Sequence, residues 1–453
     1  MQTIEDLDFF HLSFDKDGAL QSTAELDAMK QHFNSAAATD LILIAHGFRN
    51  DEQEATSLYT NFLKTFREHR ARPEFQAAFA ARKIVVAGVF WPSKAFREAF
   101  PESAEAGGVQ GLADDTVERE QVRKQLVDLR DHDARPEVRP KIDRAIALLP
   151  TLENNPDAQD DFVALVLSLL DGSAVDATEG LDQVRAKTGS ELLNRLGAPV
   201  ILPTSRDDDD EGGVSSIGGP GAGGAGGDGG VQGLGGFFKS IAGRVGQFLN
   251  LTTWYMMKDR SGIVGANGVA KAVRDVKASR PAIKIHLVGH SLGGRLMASC
   301  AKTLCTPPKL QPDSMTLLEA AFSHYGFSAD NGDGVSGFFR DVVAQKIVKG
   351  PLISTFSFQD TVVGNAYAIT SRLAGDNTKA IGDAKDPFGG IGRNGTQKTK
   401  EAVNDVLHAV GKPYTFAADV VNNLDGSGGL IKNHSDVTNT NVTYAFTSAM
   451  ART

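Results

Sequence analysis

The stretch IKIHLVGHSLGG, from Ile283 to Gly294, decides how the rest of the chain is read. Its first half, Ile283-Lys284-Ile285-His286-Leu287-Val288, has the length and apolar content of a strand covered on both faces of a parallel sheet. Its second half, Gly289-His290-Ser291-Leu292-Gly293-Gly294, fits G-x-S-x-G and leads into a helical pattern from Leu292 to about Leu304. Between a buried strand and a helix this motif has a mechanism. The turn is so tight that small residues must flank it, and it holds a serine hydroxyl above the sheet at a helix N-terminus. Ser291 is the candidate nucleophile; the plainer account is a glycine-rich turn whose serine caps the helix.

The same rhythm extends outward in both directions. Towards the N-terminus, Asp8 to Phe14, Leu41-Ile42-Leu43-Ile44-Ala45 and Ile84 to Phe90 read as strands, with helices from Ser22 or Thr23 to about Phe33 and from about Asp51 to Arg70. Towards the C-terminus, strands are expected near Ser314 to Ala321, Leu352 to Phe358 and Tyr414 to Val421. Helical patterns cover Glu401 to Val410 and Val442 to Ala451. Strand alternating with helix predicts an α/β fold with a mostly parallel, doubly wound sheet. The rhythm breaks over 93–250, where the patterns are helical and a glycine-rich, acidic stretch at about 207–236 reads as a flexible tether. The expected organisation is a core in two parts, 1–92 and 251–453, around a largely helical insertion that is a candidate cap.

Composition narrows the function classes. Lys and Arg number 47 against 56 Asp and Glu, a net charge of −9, which argues against a chain that coats nucleic acid. The two cysteines, Cys300 and Cys305, form no C-x-x-C pair, so neither a disulfide scaffold nor a zinc site is expected. The acidic start MQTIEDLDFF is unlike a signal peptide, and no run approaches a membrane span, so a cytoplasmic protein is expected, with export by a signal-independent route left open.

A serine nucleophile needs donors for an oxyanion, a base and an orienting acid. The backbone N–H of Leu292 is one candidate donor. The other is the N–H of Phe48, because His46-Gly47-Phe48 ends the run LILIA and Gly47 lets that backbone approach closely. The acid candidate is Asp360, directly after the strand at 352–358, where an open α/β sheet puts its site. Asp330 and Asp333, in a turn-like Asp-Asn-Gly-Asp-Gly, are second choices. Only His408 and His434 follow Asp360 in the chain. His434, in a loop past the last strand, is the base candidate; His408, inside a helical pattern, reads as a packing residue.

The succession HGF, GHSLGG, DTVVG and NHSD resembles the α/β-hydrolase superfamily, and its HG and GHSLGG pieces look like the lipase and esterase branch. The resemblance covers roughly residues 8–92 and 255–450. It implies a serine hydrolase cleaving a carboxylic ester, lipid or small acyl, through an acyl-enzyme on Ser291. By the same likeness His434 is the general base, Asp360 the acid, and the backbones of Phe48 and Leu292 the oxyanion hole. No cofactor and no metal are expected, and no nucleic acid; transient contact with a membrane or micelle is compatible with a lipid substrate. The alternatives are a non-catalytic binding or scaffold protein on the same fold, or a secreted effector that attacks lipids.

Overall fold

The structure, a computed structural model, describes all residues except 95–114, 134, 171–175, 198–200, 204–213, 217–239 and 376–381. The chain divides into two compact units. The first comprises Met1–Ser93, Met257–Gly364 and Gly389–Thr453; the second comprises Lys94–Met256 and Asn365–Phe388.

The first unit is built on a nine-stranded sheet. Its strands are β1 (Gln2–Ile4), β2 (Leu7–Ser13), β3 (Asp40–Ala45) and β4 (Ile84–Phe90), then β7 (Lys284–His290), β8 (Ser314–Leu318), β9 (Leu352–Phe356), β10 (Ala402–Val406) and β11 (Val421–Asp425). The remaining two, β5 (Ile201–Pro203) and β6 (Val214–Ser216), form a separate antiparallel pair. The spatial order is β1-β2-β4-β3-β7-β8-β9-β11-β10. Only β1 runs antiparallel to its neighbour; every other pairing is parallel. This is an α/β architecture with a mostly parallel mixed sheet flanked by helices. Strands β3 and β4 are buried along their whole length, which is why they read as continuous apolar runs rather than alternating ones. Helix Glu52–Arg70 starts with a reciprocal capping box between Asp51 and Glu54, and lays Tyr59, Phe62, Leu63 and Phe66 into the core. Phe62 and Phe66 meet Phe446 of the final helix, Thr440–Ala451, with ring centroids 5.1 and 5.2 Å apart.

Three local expectations fail. The stretch read as a helix over 401–410 contains β10, paired in parallel with β11 from Ala402 opposite Val421. Val403, Val406, Leu407 and Val410 repeat at i, i+3, i+4 and i+7, so spacing alone imitates an amphipathic helix. As an edge strand exposed along most of its length, β10 has no buried face to impose alternation. The last strand is Val421–Asp425, not 414–421. The region 93–250, read as free of strands, contains β5 and β6.

The second unit includes 365–388, which the sequence reading leaves in the core. The Tyr367 hydroxyl donates to Oε2 of Glu179 at 2.7 Å, and the Tyr255 hydroxyl donates to the Glu179 carbonyl at 2.7 Å. Beyond the tether, Phe237, Phe238, Ile241, Val245, Phe248, Leu249 and Leu251 fall at near-helical spacing as one apolar face, and Ile241, Val245, Phe248, Leu249 and Leu251 are buried, on helix Ile241–Ile263. Phe237 and Phe238, and most of the tether itself, lie outside the described residues. Cys300 and Cys305 are both buried free thiols, and burial raises the pKa of each, Cys305 to about 11. Among the described residues no helix is long and apolar enough to cross a membrane.

Candidate active site

Sheet topology opens a crevice at one place. From β3 the chain passes to β4 on one side, whereas from β7 it passes to β8 on the other. The loops leaving the C-terminal ends of these two adjacent strands therefore diverge, and open α/β sheets bind ligands in that gap. His46-Gly47-Phe48 follows β3 and Ser291 follows β7, with Ala45 opposite Gly289 in the register. The switch point thus brings together two segments that are some 240 positions apart in the sequence.

Ser291 has φ 56° and ψ −124°, a left-handed conformation that costs a non-glycine residue of order 1–3 kcal/mol. Hydrogen bonds hold it there. Its N–H donates to the Leu318 carbonyl at 3.0 Å, and its carbonyl accepts from the N–H groups of Ala321 at 3.0 Å and Gly294 at 2.9 Å. The helix Leu292–Leu304 begins at once, so the Leu292 N–H has no carbonyl one turn back to bond. The turn is also pressed against β3: a Cβ at Gly293 would lie 2.4 Å from the Ala45 carbonyl oxygen.

The loop after β3 is fixed by its aromatic neighbours. The Tyr59 hydroxyl accepts from the His46 N–H at 3.0 Å and donates to the Val89 carbonyl at 2.7 Å. Trp91 stacks on the His46 ring, and its indole N–H donates to the His46 carbonyl at 3.0 Å. His46 Nδ1–H donates to the Gly47 carbonyl, and Nε2 accepts from the Trp91 N–H. Burial holds its pKa down at about 4, so it is a neutral structural ring. A Cβ on Gly47 would fall 2.8 Å from Cβ of Ser291, so only glycine lets this loop approach the serine so closely. Among the described residues no backbone carbonyl accepts from the Phe48 N–H.

Asp360 and His434 come together although 74 residues separate them. His434 Nδ1–H donates to Asp360 Oδ2 at 2.8 Å, with the aspartate fully buried and the imidazole nearly so. Oδ1 of Asp360 accepts from the Val363 N–H at 2.9 Å. The two loops are cross-tied: Ser357 Oγ donates to the Ile431 carbonyl, and the Phe358 N–H donates to Ser427 Oγ, both at 3.0 Å. His290 joins this pair to the serine turn. Its Nε2–H donates to the His434 carbonyl at 2.9 Å, and the two rings lie 4.7 Å apart. Burial, reinforced by His434, pushes the His290 pKa down to about 3 and leaves it neutral.

The second-choice residues lie elsewhere. Asp330 is exposed and accepts from the N–H groups of Gly332 and Gly334, shaping its own turn. Asp333, also exposed, belongs to the same turn. His408 follows β10 in a loop, stacked on Tyr414 with centroids 4.4 Å apart, and its Nδ1–H donates to the Pro413 carbonyl. A packing role fits it, but not on a helix. The sequence reading does not reach Glu319, a fully buried carboxyl one residue beyond β8. Among the described residues no group of three or more His, Cys, Asp and Glu side chains is arranged to hold a metal ion.

Comparison with protein-family models, with curated proteins and with solved structures finds no match for this chain.

Proposed function

We propose that the first unit is a serine hydrolase of the α/β-hydrolase kind, cleaving a carboxylic ester by acyl transfer. One observation carries the reading: a serine held at positive φ on a strand-to-helix turn at the sheet's switch point, with an Asp360–His434 pair tied to that turn through His290. In the proposed reaction Ser291 Oγ attacks the ester carbonyl carbon as Nε2 of His434 takes its proton. The hydrogen bond from Nδ1 to Asp360 fixes the tautomer in which Nε2 is the accepting nitrogen, and the carboxylate stabilises the imidazolium. The N–H groups of Phe48 and Leu292 receive the oxyanion. His434 then protonates the departing alcohol, and water repeats the sequence on the acyl-enzyme to release the acid and free Ser291.

The lipase and esterase likeness of HGF and GHSLGG points to a lipid or small acyl ester as the substrate class. A fluorophosphonate probe tests the reading directly, because only an activated serine is phosphonylated. Labelling at Ser291, abolished in Ser291→Ala, together with hydrolysis of a p-nitrophenyl ester, is the expected result. A folded protein that takes no label and cleaves no ester is a binding protein on this fold.

A further inference from the structure

At the end of the sheet away from Ser291, a cavity of about 450 Å³ opens beside the N-terminal ends of β7 and β8. Lys277, Lys309 and Lys349 line it. They come from three separate segments: the last turn of helix Ala270–Ser279, the loop after helix Leu292–Leu304, and the turn before β9. Acidic residues outnumber basic ones in this chain, 56 to 47, so three ammonium groups converging on one hollow run against its composition.

The lysines share one carboxylate, and it does not neutralise them. Asp313 Oδ2 accepts from the Ile285 N–H at 2.9 Å and lies 4.0 Å from Lys277 Nζ, while Oδ1 lies 4.0 Å from Lys349 Nζ. Both separations to nitrogen exceed hydrogen-bond length. Three ammonium groups against one carboxylate leave two positive charges unmatched in the cavity. Donors are also left over. Lys277 Nζ donates to the carbonyls of Pro281 and Ile283, and Lys309 Nζ donates to the Gln345 carbonyl at 2.9 Å. An ammonium carries three N–H groups, so Lys277 keeps one and Lys309 keeps two. Among the described residues the exposed Lys349 ammonium makes no hydrogen bond.

The frame that presents these donors is fixed. The Lys349 N–H donates to the Pro312 carbonyl at 2.9 Å, and the Asp313 N–H donates to the Ile285 carbonyl at 2.7 Å. A Cβ at Gly350 would lie 2.4 Å from the Asp313 carbonyl oxygen, so the two turns pack without slack. Arg274 donates to the carbonyls of Thr303, Thr306 and Pro308, pinning the loop that carries Lys309. A site held in this way pays little to order itself around a ligand.

We propose that this cavity binds a phosphate group, carried by a small soluble molecule or by a lipid head group. A phosphate monoester has a charge of about −1.5 to −2 at neutral pH, which matches the two unmatched positive charges. Lysines act on it as point charges from several directions, whereas a planar carboxylate is better met by the fork of an arginine. The volume exceeds that of a phosphate alone and leaves room for the organic part, with Leu310 on the wall. The site lies at the opposite end of β7 from Ser291 and does not depend on the hydrolase reading.

The test is calorimetric titration of the full chain with inorganic pyrophosphate. Saturable binding is expected, weakened at least about tenfold in Lys277→Gln and in Lys349→Gln, each of which removes a charge-assisted donor. Lys64→Gln, at an exposed position of helix Glu52–Arg70, changes the net charge equally and should leave the affinity as it is. Should Lys277→Gln not fold, Lys309→Gln replaces it, since that side chain is exposed. Sedimentation with phosphatidylcholine vesicles, with and without about one-fifth phosphatidic acid, separates the two sources. Binding that needs phosphatidic acid and is lost in Lys349→Gln assigns the phosphate to a lipid; pyrophosphate binding without vesicle binding assigns it to a soluble molecule. Equal weakening in Lys64→Gln and Lys349→Gln, or no saturable binding of either probe, overturns the proposal.

Discussion

Among the described residues the first unit contains two arrangements of serine, histidine and aspartate, at opposite ends of the same sheet. At the N-terminal ends, Ser314 Oγ–H donates to Nδ1 of His286 at 2.8 Å, and Nε2–H of His286 donates to Oδ1 of Asp40 at 3.0 Å. At the C-terminal ends, His434 donates to Asp360 beside the Ser291 turn. By connectivity alone the first set is the more complete. It is nevertheless a core lock. All three side chains are sealed, Ser314 is an ordinary strand residue, and Asp40 is further held by Arg82 and Thr39. On the proposed reading a reactive site needs a strained serine at a place where the topology opens the sheet, in addition to the three residue types.

The sharpest way to break this contrast is at the two serines. On the hydrolase reading, Ser291→Ala should lower turnover on a p-nitrophenyl ester by on the order of a millionfold with the fold intact. Ser314→Ala should leave turnover within a few-fold and lower the melting temperature, since His286 loses a buried partner. A Ser314 variant that loses ester cleavage without losing stability reverses the assignment of the two ends.

The aspartates come next. Asp360→Asn should reduce turnover by about 10⁴, by favouring the wrong tautomer of His434. Asp40→Asn should act on stability instead, costing about 3–5 kcal/mol for breaking a buried, charged network. Urea unfolding and steady-state kinetics on the same pair of variants separate the two effects. Replacing both Asp330 and Asp333 by Asn should change neither by much, because each is exposed and serves only its own turn.

Gly47 probes the crevice itself. Gly47→Ala forces a methyl group to within 2.8 Å of Cβ of Ser291, displacing the loop that carries the Phe48 N–H. Turnover should fall by about 10²–10³, the cost of losing one oxyanion donor. Gly428→Ala, with nothing within 4 Å of the added carbon, is the control and should be close to neutral. Equal losses in the two alanine variants would remove Gly47 from the site.

The contrast between the two ends also explains what was legible in the sequence. The Ser291 turn could be read because its chemistry requires a local pattern, small residues at fixed offsets between a buried strand and a helix. Asp360 could be read because a carboxylate directly ends an apolar run. Glu319 gives the same signal after Ser314–Leu318, but with that strand drawn to Ala321 the residue falls inside it and reads as a sheet position. The lock of Ser314, His286 and Asp40 joins three strands distant in the chain, and nothing local marks it. Strand β10 was illegible for another reason: exposed edge residues carry no burial pattern, so chance spacing imitates a helix.

The smallest effect is in stability against pH, and here the two ends should behave alike. His46 and His290 have folded-state pKa values near 4 and 3, and burial lowers that of His286 too, against 6.5 unfolded. A depressed pKa means that the unfolded chain binds more protons, so the stability these rings contribute is fully present above pH 6.5. It is lost as pH falls from there towards the folded values. Each ring should add about 1.4 kcal/mol per pH unit to the slope inside its window. Glu319 acts in the opposite sense: its raised pKa makes stability fall as pH rises above about 4.5, the ordinary glutamate value. Between pH 4.5 and 6.5 His46 and His290 therefore steepen the slope, while Glu319 and Asp386, whose pKa burial raises to about 6, oppose them. His290→Gln should flatten the slope by about one proton's worth, and Glu319→Gln should steepen it. Urea midpoints measured at half-unit steps across that window resolve a change of this size. If His290→Gln leaves the slope untouched, the ring beside the Ser291 turn is not held neutral by burial, and the upper end differs from the lower in charge as well as in access.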